Sequence, residues 1–377
     1  MFKLMLRIKQ AKVILLISFF RLFKIFAKDL WVICERGDDA RDNGYWMYKY
    51  IKQNHPAQKV YYIIDFTSAD YEKVSEDAVQ LGSLKYYWAL AVSSKIISTH
   101  YGAGNKYFSH KFFGCSGLGK KFYFLQHGVT KDDMVQFYGD CAPMKLFVCG
   151  AKPEYDWIAK NFKHPDGVVR YTGLARFDQL HNAQSKRQVL VMPTWRSYIK
   201  TQEQFAESEY YIKWNGLINH PVLLRALKDM NIDLVFYPHY EVQKYITGFR
   251  SCSENVVIAD FDHFDVQTLL KESAILITDY SSVAFDFAYM RKPVVYYQFD
   301  EEKFFSSHYR KGYFDYRTMG FGEVCQNETA VLDEIIKLCS REMQLEDLYS
   351  ERVSQFFPLF DTGNSERIYE IIAEDRR

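Results

Sequence analysis

The chain has 377 residues, 48% of them hydrophobic, and carries 48 Lys and Arg against 47 Asp and Glu. This excludes disordered and fibrous classes and allows two domains of ordinary size. A net charge near zero gives no global basic field to recruit nucleic acid, so any polyanion must be bound locally. The seven cysteines (Cys34, Cys115, Cys141, Cys149, Cys252, Cys325, Cys339) contain no C-x-x-C pair, which points to free thiols in a reducing cytoplasm and away from zinc.

Residues 1–28 depart from the average: seven are basic (Lys3, Arg7, Lys9, Lys12, Arg21, Lys24, Lys28) and none is acidic. The apolar run at 13–20 is too short to span a bilayer, which takes about 20 residues. No small-residue cleavage site follows it, and Leu22, Phe23, Ile25 and Phe26 continue at helical intervals between the charges. We expect a basic amphipathic helix lying on an anionic membrane surface, which would place the protein peripherally on the cytoplasmic face of the plasma membrane. The plainer expectation is a first helix that packs on the protein.

From residue 29 onward the pattern is apolar run, turn, helix, repeated. "LWVICE" (30–35), "KVYYIID" (59–65), "SSKIISTH" (93–100), "KKFYFLQHG" (120–128) and "KLFVCG" (145–150) read as strands, with a helix over 45–53. Polar "HNAQSKRQ" (181–188) reads as a linker. A second alternating half follows, with "VLVMPTWR", a helix near 221–230, "DLVFYPH", "NVVIAD", "AILITDYSS", a short helix and "PVVYY". The sequence shows no internal repeat. Such alternation predicts parallel sheets covered by helices on both faces. The expected fold is α/β of the GT-B type, two Rossmann-like domains facing a cleft, divided as 1–28, 29–180 and 181–377.

Ligands of open α/β sheets bind beyond the carboxyl ends of the strands, and four polar clusters fall there. His127-Gly128 follows "FYFLQ", Thr194-Trp195-Arg196 follows "VLVMP", His239 follows "DLVFYP", and Asp279-Tyr280-Ser281-Ser282 follows "AILIT". Histidine is the natural general base near neutral pH, so His127 and His239 are the leading candidates and His100 a weaker third. Ser281 and Ser282 open a short helix, where one hydroxyl can cap and the first-turn amides can cradle an anion. No G-x-x-x-x-G-K-[ST] or G-x-G-x-x-G is present. That leaves a diphosphate held by hydroxyls, a helix N-terminus and Arg196. A strand-end arginine needs an anion, either a protein carboxylate or a ligand phosphate. Trp195 could stack on a base or fill a strand end.

The ordered motifs "QHGVTKDD" (126–133), "TGLARFD" (172–178), "MPTWR" (192–196), "YPH" (237–239), "ITDYSSVAFDFAYMRKPVVYY" (277–297) and "RKGYFDY" (310–316) resemble the CDP-glycerol glycerophosphotransferase family, which includes teichoic acid primases and polymerases and related capsule transferases. The resemblance implies transfer of glycerol phosphate or ribitol phosphate from CDP-glycerol or CDP-ribitol to a hydroxyl of a lipid-linked glycan, teichoic acid or capsule precursor, with release of CMP. It makes 29–180 the acceptor side and 181–377 the donor side. By position, His127 would deprotonate the acceptor hydroxyl, while His239, Ser281 and Ser282 bind the donor diphosphate with Thr194, Arg196 and Asp279 nearby. Gly128, Lys131, Trp195, Arg176 and Arg310 are accessory candidates. No resident metal or cofactor is expected, Mg²⁺ entering only through the substrate diphosphate. Two departures stand out: "HGVTKDD" where many relatives carry "HGTPLK", and "RTMGFGE" where Pro-Gly is usual after "YFD". The alternatives are a GT-B nucleotide-sugar glycosyltransferase of surface polysaccharide synthesis and a non-catalytic membrane-associated adaptor.

Overall fold

The computed structural model describes residues 2–23, 29–105, 108, 110–181, 183–307 and 310–375. They form two compact units, the first comprising Met1–Val129, Met134–Gln179 and Leu359–Arg377, the second Thr130–Asp133 and Leu180–Pro358.

Unit 1 is built on a seven-stranded parallel sheet: β1 (Trp31–Cys34), β2 (Val60–Ile64), β3 (Ala78–Gln80), β4 (Lys95–Ser98), β5 (Phe122–Phe124), β6 (Leu146–Cys149) and β7 (Val169–Tyr171), in the order β3-β2-β1-β4-β5-β6-β7. Unit 2 has six parallel strands: β8 (Gln188–Met192), β9 (Asp233–Phe236), β10 (Val256–Ile258), β11 (Ile275–Thr278), β12 (Val294–Tyr297) and β13 (Gly322–Cys325), in the order β10-β9-β8-β11-β12-β13. Every residue of β1, β4, β8, β11 and β12 is buried. Helices cover both faces of such a strand, so its sequence reads as a continuous apolar run without alternation.

The two sheets repeat a winding that the sequence does not repeat. In each, the strand just before the fifth in winding order is preceded by a helix whose last carbonyls are gathered by a lysine. Lys121 Nζ donates to the carbonyls of Leu90 (2.8 Å), Ala91 (3.1 Å) and Ser93 (2.5 Å). Lys292 Nζ donates to those of Leu270 (3.1 Å), Lys271 (2.6 Å) and Ser273 (2.9 Å). A cation is favourable there, because the last helical carbonyls have no partner of their own.

Assigning all of 181–377 to the second domain needs correction: the chain returns to unit 1 at Leu359. Asp178 caps the helix Asn364–Glu374, its Oδ1 accepting from the Asn364 N–H (2.9 Å) and Nδ2 (2.7 Å) and its Oδ2 from the Ser365 N–H (2.9 Å). Gly173, at φ 76°, leaves the space for this, since a Cβ there would lie 1.7 Å from Asn364 Oδ1.

The first helix, Phe2–Phe20, packs on the unit 1 core through Ile17, with Val13, Ile14 and Phe20 beside it. Arg21 Nη2 donates to the Ser116 carbonyl (2.5 Å). Leu15, Phe19, Leu22 and Phe23 nevertheless stay exposed, as do Lys9 and Lys12. The helix therefore packs on the protein through one face and turns an apolar face outward. The side chains of Lys3 and Arg7, and Lys24, Ile25, Phe26 and Lys28, lie outside the described residues. Among the described residues no helix is long and apolar enough to cross a membrane.

Candidate functional site

In each sheet the winding direction reverses beside the first strand, between β1 and β4 in unit 1 and between β8 and β11 in unit 2. This switch point opens a crevice at the carboxyl ends of the strands.

In unit 1 the crevice is bordered by the loop after β1, by Thr99 and His100 after β4, and by Gln126 and His127 after β5. Gln126 is buried in the left-handed region at φ 59°, a conformation that costs a non-glycine residue and needs support. Support comes from both ends of the residue. Its Nε2 donates to the Val148 carbonyl (2.5 Å) and to Glu154 Oε1 (2.9 Å), and its carbonyl accepts from Asn43 Nδ2 (2.8 Å). Asn43 is fully buried at the start of the helix Asn43–Asn54, and its Oδ1 accepts from the Arg176 N–H (3.0 Å). The buried Glu35 secures that helix start by accepting from the N–H groups of Arg41 (2.9 Å), Asp42 (3.0 Å) and Tyr45 (2.8 Å).

The His127 ring next in sequence is solvent-exposed. It stacks on His100 with centroids 4.5 Å apart and planes 17° apart, and it bonds to the Thr99 carbonyl. A ring that donates one N–H to a carbonyl presents its other nitrogen as an acceptor. Surrounding protein lowers the His127 pKa, with Asp42 opposing and Arg36 and Arg176 assisting. His100 is held well below the usual range, mainly by burial and then by His127 and Arg36. Both rings are thus kept neutral near pH 7. Gly128 is buried, and Arg176 is engaged by Asp42 Oδ1 at 2.6 Å.

In unit 2 the crevice is closed by a buried ion cluster. Arg196 lies 2.8 Å from Asp279 Oδ2, donates from Nε to Asp300 Oδ2 (2.7 Å) and from Nη2 to Asp300 Oδ1 (3.0 Å), and bonds to the Thr194 carbonyl (2.7 Å). Asp279 Oδ1 accepts from the N–H groups of Thr194 (2.8 Å) and Tyr280 (2.6 Å). The Arg196 guanidinium lies 5.3 Å from the Tyr210 and Tyr280 ring centroids and 5.0 Å from that of Phe304. Burial alone would lower its pKa, but the two carboxylates outweigh that and raise it.

This corrects the expectation that Arg196 and Asp279 touch the donor. The anion that the strand-end arginine requires is the Asp279–Asp300 pair, and the cluster is a buried brace behind the serine turn. The sequence reading passed over Asp300, three residues beyond β12; it likewise missed Asn43, Gln126, Glu35 and Thr99.

The brace leaves Ser281 and Ser282 partly exposed at the start of the helix Val283–Tyr289. Ser281 Oγ is 3.5 Å from the Val283 N–H, whereas Ser282 makes no side-chain cap bond. Thr194 Oγ1 is buried with no partner among the described residues. His239 Nδ1 accepts from the Glu241 N–H (3.2 Å), so the neutral ring carries its proton on Nε2, a donor suited to an anionic oxygen. Trp195 is half-buried, its ring 6.2 Å from that of His239 and tilted 25°. Lys131 is buried against Asp132 Oδ2 (2.5 Å) and over Tyr316 (5.6 Å), and Asp133 N–H bonds to the carbonyl of the exposed Arg310 (3.0 Å). These accessory candidates hold the segment 130–133 in place.

Two parallel doubly wound sheets, each with its polar residues at a switch point, define the GT-B class. Within it the chain belongs to the family described as CDP-Glycerol:Poly(glycerophosphate) glycerophosphotransferase, which it matches over residues 16–136 and 147–374. It is 35% identical over 370 residues to the minor teichoic acid biosynthesis protein GgaB of Bacillus subtilis (strain 168), covering 93% of this chain and 40% of that protein. It is 25% identical over 227 residues to the teichoic acid glycerol-phosphate primase of the same organism, covering 55% of this chain and 52% of that one. The chain thus spans about half or less of these curated relatives. A solved structure of the wall teichoic acid polymerase TagF shares the fold, with a TM-score of 0.69 at 17% identity over 99% of this chain and 97% of that one.

Proposed function

We propose that the chain transfers glycerol phosphate or ribitol phosphate from a CDP-activated donor to a hydroxyl of a lipid-linked glycan or of a teichoic acid or capsule precursor, releasing CMP. In this reading the neutral His127 takes the proton of the acceptor hydroxyl, and the oxygen attacks the β-phosphorus of the donor. The bond from that phosphorus to the bridging oxygen breaks, and CMP leaves with the electron pair. His239 Nε2–H and the hydroxyls of Ser281, Ser282 and Thr194 stabilise the charge that develops on the phosphates, and Trp195 offers a ring face to the base. Such chemistry is chiefly positioning and electrostatics. Mg²⁺ enters only as a companion of the donor's own diphosphate.

The observation that carries the reading is the His127 ring, exposed, kept neutral and bonded to the Thr99 carbonyl in a chain of this family. The outward apolar face of Leu15, Phe19, Leu22 and Phe23, flanked by Lys9 and Lys12, supports peripheral binding to an anionic membrane, where a lipid-linked acceptor resides. Nucleotide release should be measured across CDP-glycerol, CDP-ribitol and UDP-sugars with lipid-linked acceptors. Release of CMP from a CDP-polyol supports the proposal. Release of UDP alone would show a sugar transferase, and no release from any donor an adaptor.

A further inference from the structure

A pocket of about 860 Å³ opens in unit 2 beside the buried brace, where the chain leaves β12 and enters the helix Glu301–Ser307. Gln298 forms part of its wall and is only 2% exposed. The Gln298 Nε2 is committed to the Asp279 carbonyl at 2.9 Å, which fixes the side chain, and its Oε1 has no partner among the described residues. A buried amide oxygen without a donor is costly, so it calls for a ligand group or water.

The rest of the lining decides what kind of ligand. Four carboxylates border the pocket, Glu209, Asp300, Glu301 and Glu302. Arg196 (2.7 Å from Asp300) is shared with the buried Asp279, so that pair keeps one negative charge, and Glu301 is paired with Arg317 (3.1 Å). With Glu209 and Glu302 against Lys303, the wall carries about two negative charges. This field repels a phosphate-rich ligand. What remains is a mixed wall: carboxylate and amide oxygens that accept, an ammonium that donates, and the aromatic ring of Phe299. Convergent acceptors and donors beside an apolar ring suit a ligand with many hydroxyls and C–H faces.

We propose that this pocket binds a neutral, hydroxyl-rich ligand, a saccharide or polyol segment of the polymer on which the enzyme acts. Only the link to that polymer rests on the transferase reading. The pocket serves as an accessory hold on the acceptor, distinct from the serine turn.

The test is saturation-transfer NMR on the full chain with four probes: diacetylchitobiose, ribitol, a glycerol phosphate trimer and spermidine. Binding is compared between the wild type and two variants. Ser306→Trp fills the mouth from an exposed position, and Gln298→Leu removes the acceptor. We expect chitobiose or ribitol to bind and to weaken at least tenfold in Ser306→Trp, with a smaller loss in Gln298→Leu; whichever binds identifies the source as saccharide or polyol. Failure of both neutral probes to bind, binding unchanged in Ser306→Trp, or preference for the trimer or spermidine would overturn the assignment. A protein that binds a neutral probe here yet releases no CMP from CDP-glycerol or CDP-ribitol would fail the transferase reading and leave the pocket standing.

Discussion

The crevices of the two units share a frame and differ in what fills it. In unit 1 the residues beyond β1, β4 and β5 are tied mainly by backbone and amide hydrogen bonds through Asn43, Gln126 and Thr99, with the carboxylates Glu35 and Glu154 as acceptors, and a titratable residue is left exposed. In unit 2 the residues beyond β8, β11 and β12 are tied by a fully buried arginine and two aspartates, and the surface is left to hydroxyls and a histidine N–H. On the proposed mechanism only the base needs a pKa near neutrality, and the charges around His127 oppose one another, Asp42 raising its pKa and Arg36 and Arg176 lowering it. A phosphate-binding turn, the role proposed for Ser281 and Ser282, needs rigidity more than a tuned pKa, and the ion cluster behind it supplies that. The lysines that gather helix carbonyls, Lys121 and Lys292, are common to both because they belong to the frame.

That contrast can be broken residue by residue. Arg196→Met leaves two aspartates buried without their cation and should cost about 3–5 kcal/mol, read as an earlier denaturant midpoint of unit 2. An unchanged midpoint would mean that the cluster braces nothing. Lys292→Met should cost about 1.5–3 kcal/mol, the worth of hydrogen bonds to a charged group, and Lys121→Met should lower stability in the same direction. If only one of the pair matters, the frame is not shared. Asn43→Ala should cost about 1–3 kcal/mol by orphaning the Gln126 carbonyl and the Arg176 N–H. On the proposed mechanism it should also lower kcat more than it changes KM for the donor, because the displaced His127 belongs to unit 1 and the proposed donor contacts to unit 2. The smallest effect is on pH. A base must be unprotonated, and the His127 pKa is lowered from 6.5, so the acid limb of kcat/KM should have its midpoint below pH 6.5. A midpoint at or above 6.5 would count against His127 as a base with a lowered pKa.

Much of the frame was legible because buried parallel strands spell continuous apolar runs, as at "FYF" and "ILIT". The strands that escaped were β3, β7 and β13, each of three or four residues at or beside a sheet edge, where little apolar sequence is needed. The return of the chain to unit 1 depends on Gly173 and Asp178 meeting Asn364, partners 186 to 191 positions away, and no local pattern reports such a pairing. Among site residues, His127, His239, Ser281 and Ser282 were found from their places at strand ends. Arg196 was found and its partner mistaken, because charge and position show that an anion is needed without showing which. Asn43 and Gln126 were missed because an amide that clamps a backbone looks like any other polar residue until the fold brings its carbonyl partner to it.

The most direct test of the account is the rate of CMP release from CDP-glycerol by His127→Ala, with a lipid-linked acceptor present and the fold checked by circular dichroism. Loss of the base should lower the rate by about 10²–10⁴-fold while the spectrum and the melting transition stay as in the wild type. A folded His127→Ala protein that turns over within a few-fold of wild type would contradict the assignment of His127 and, with it, the division of labour between the two units.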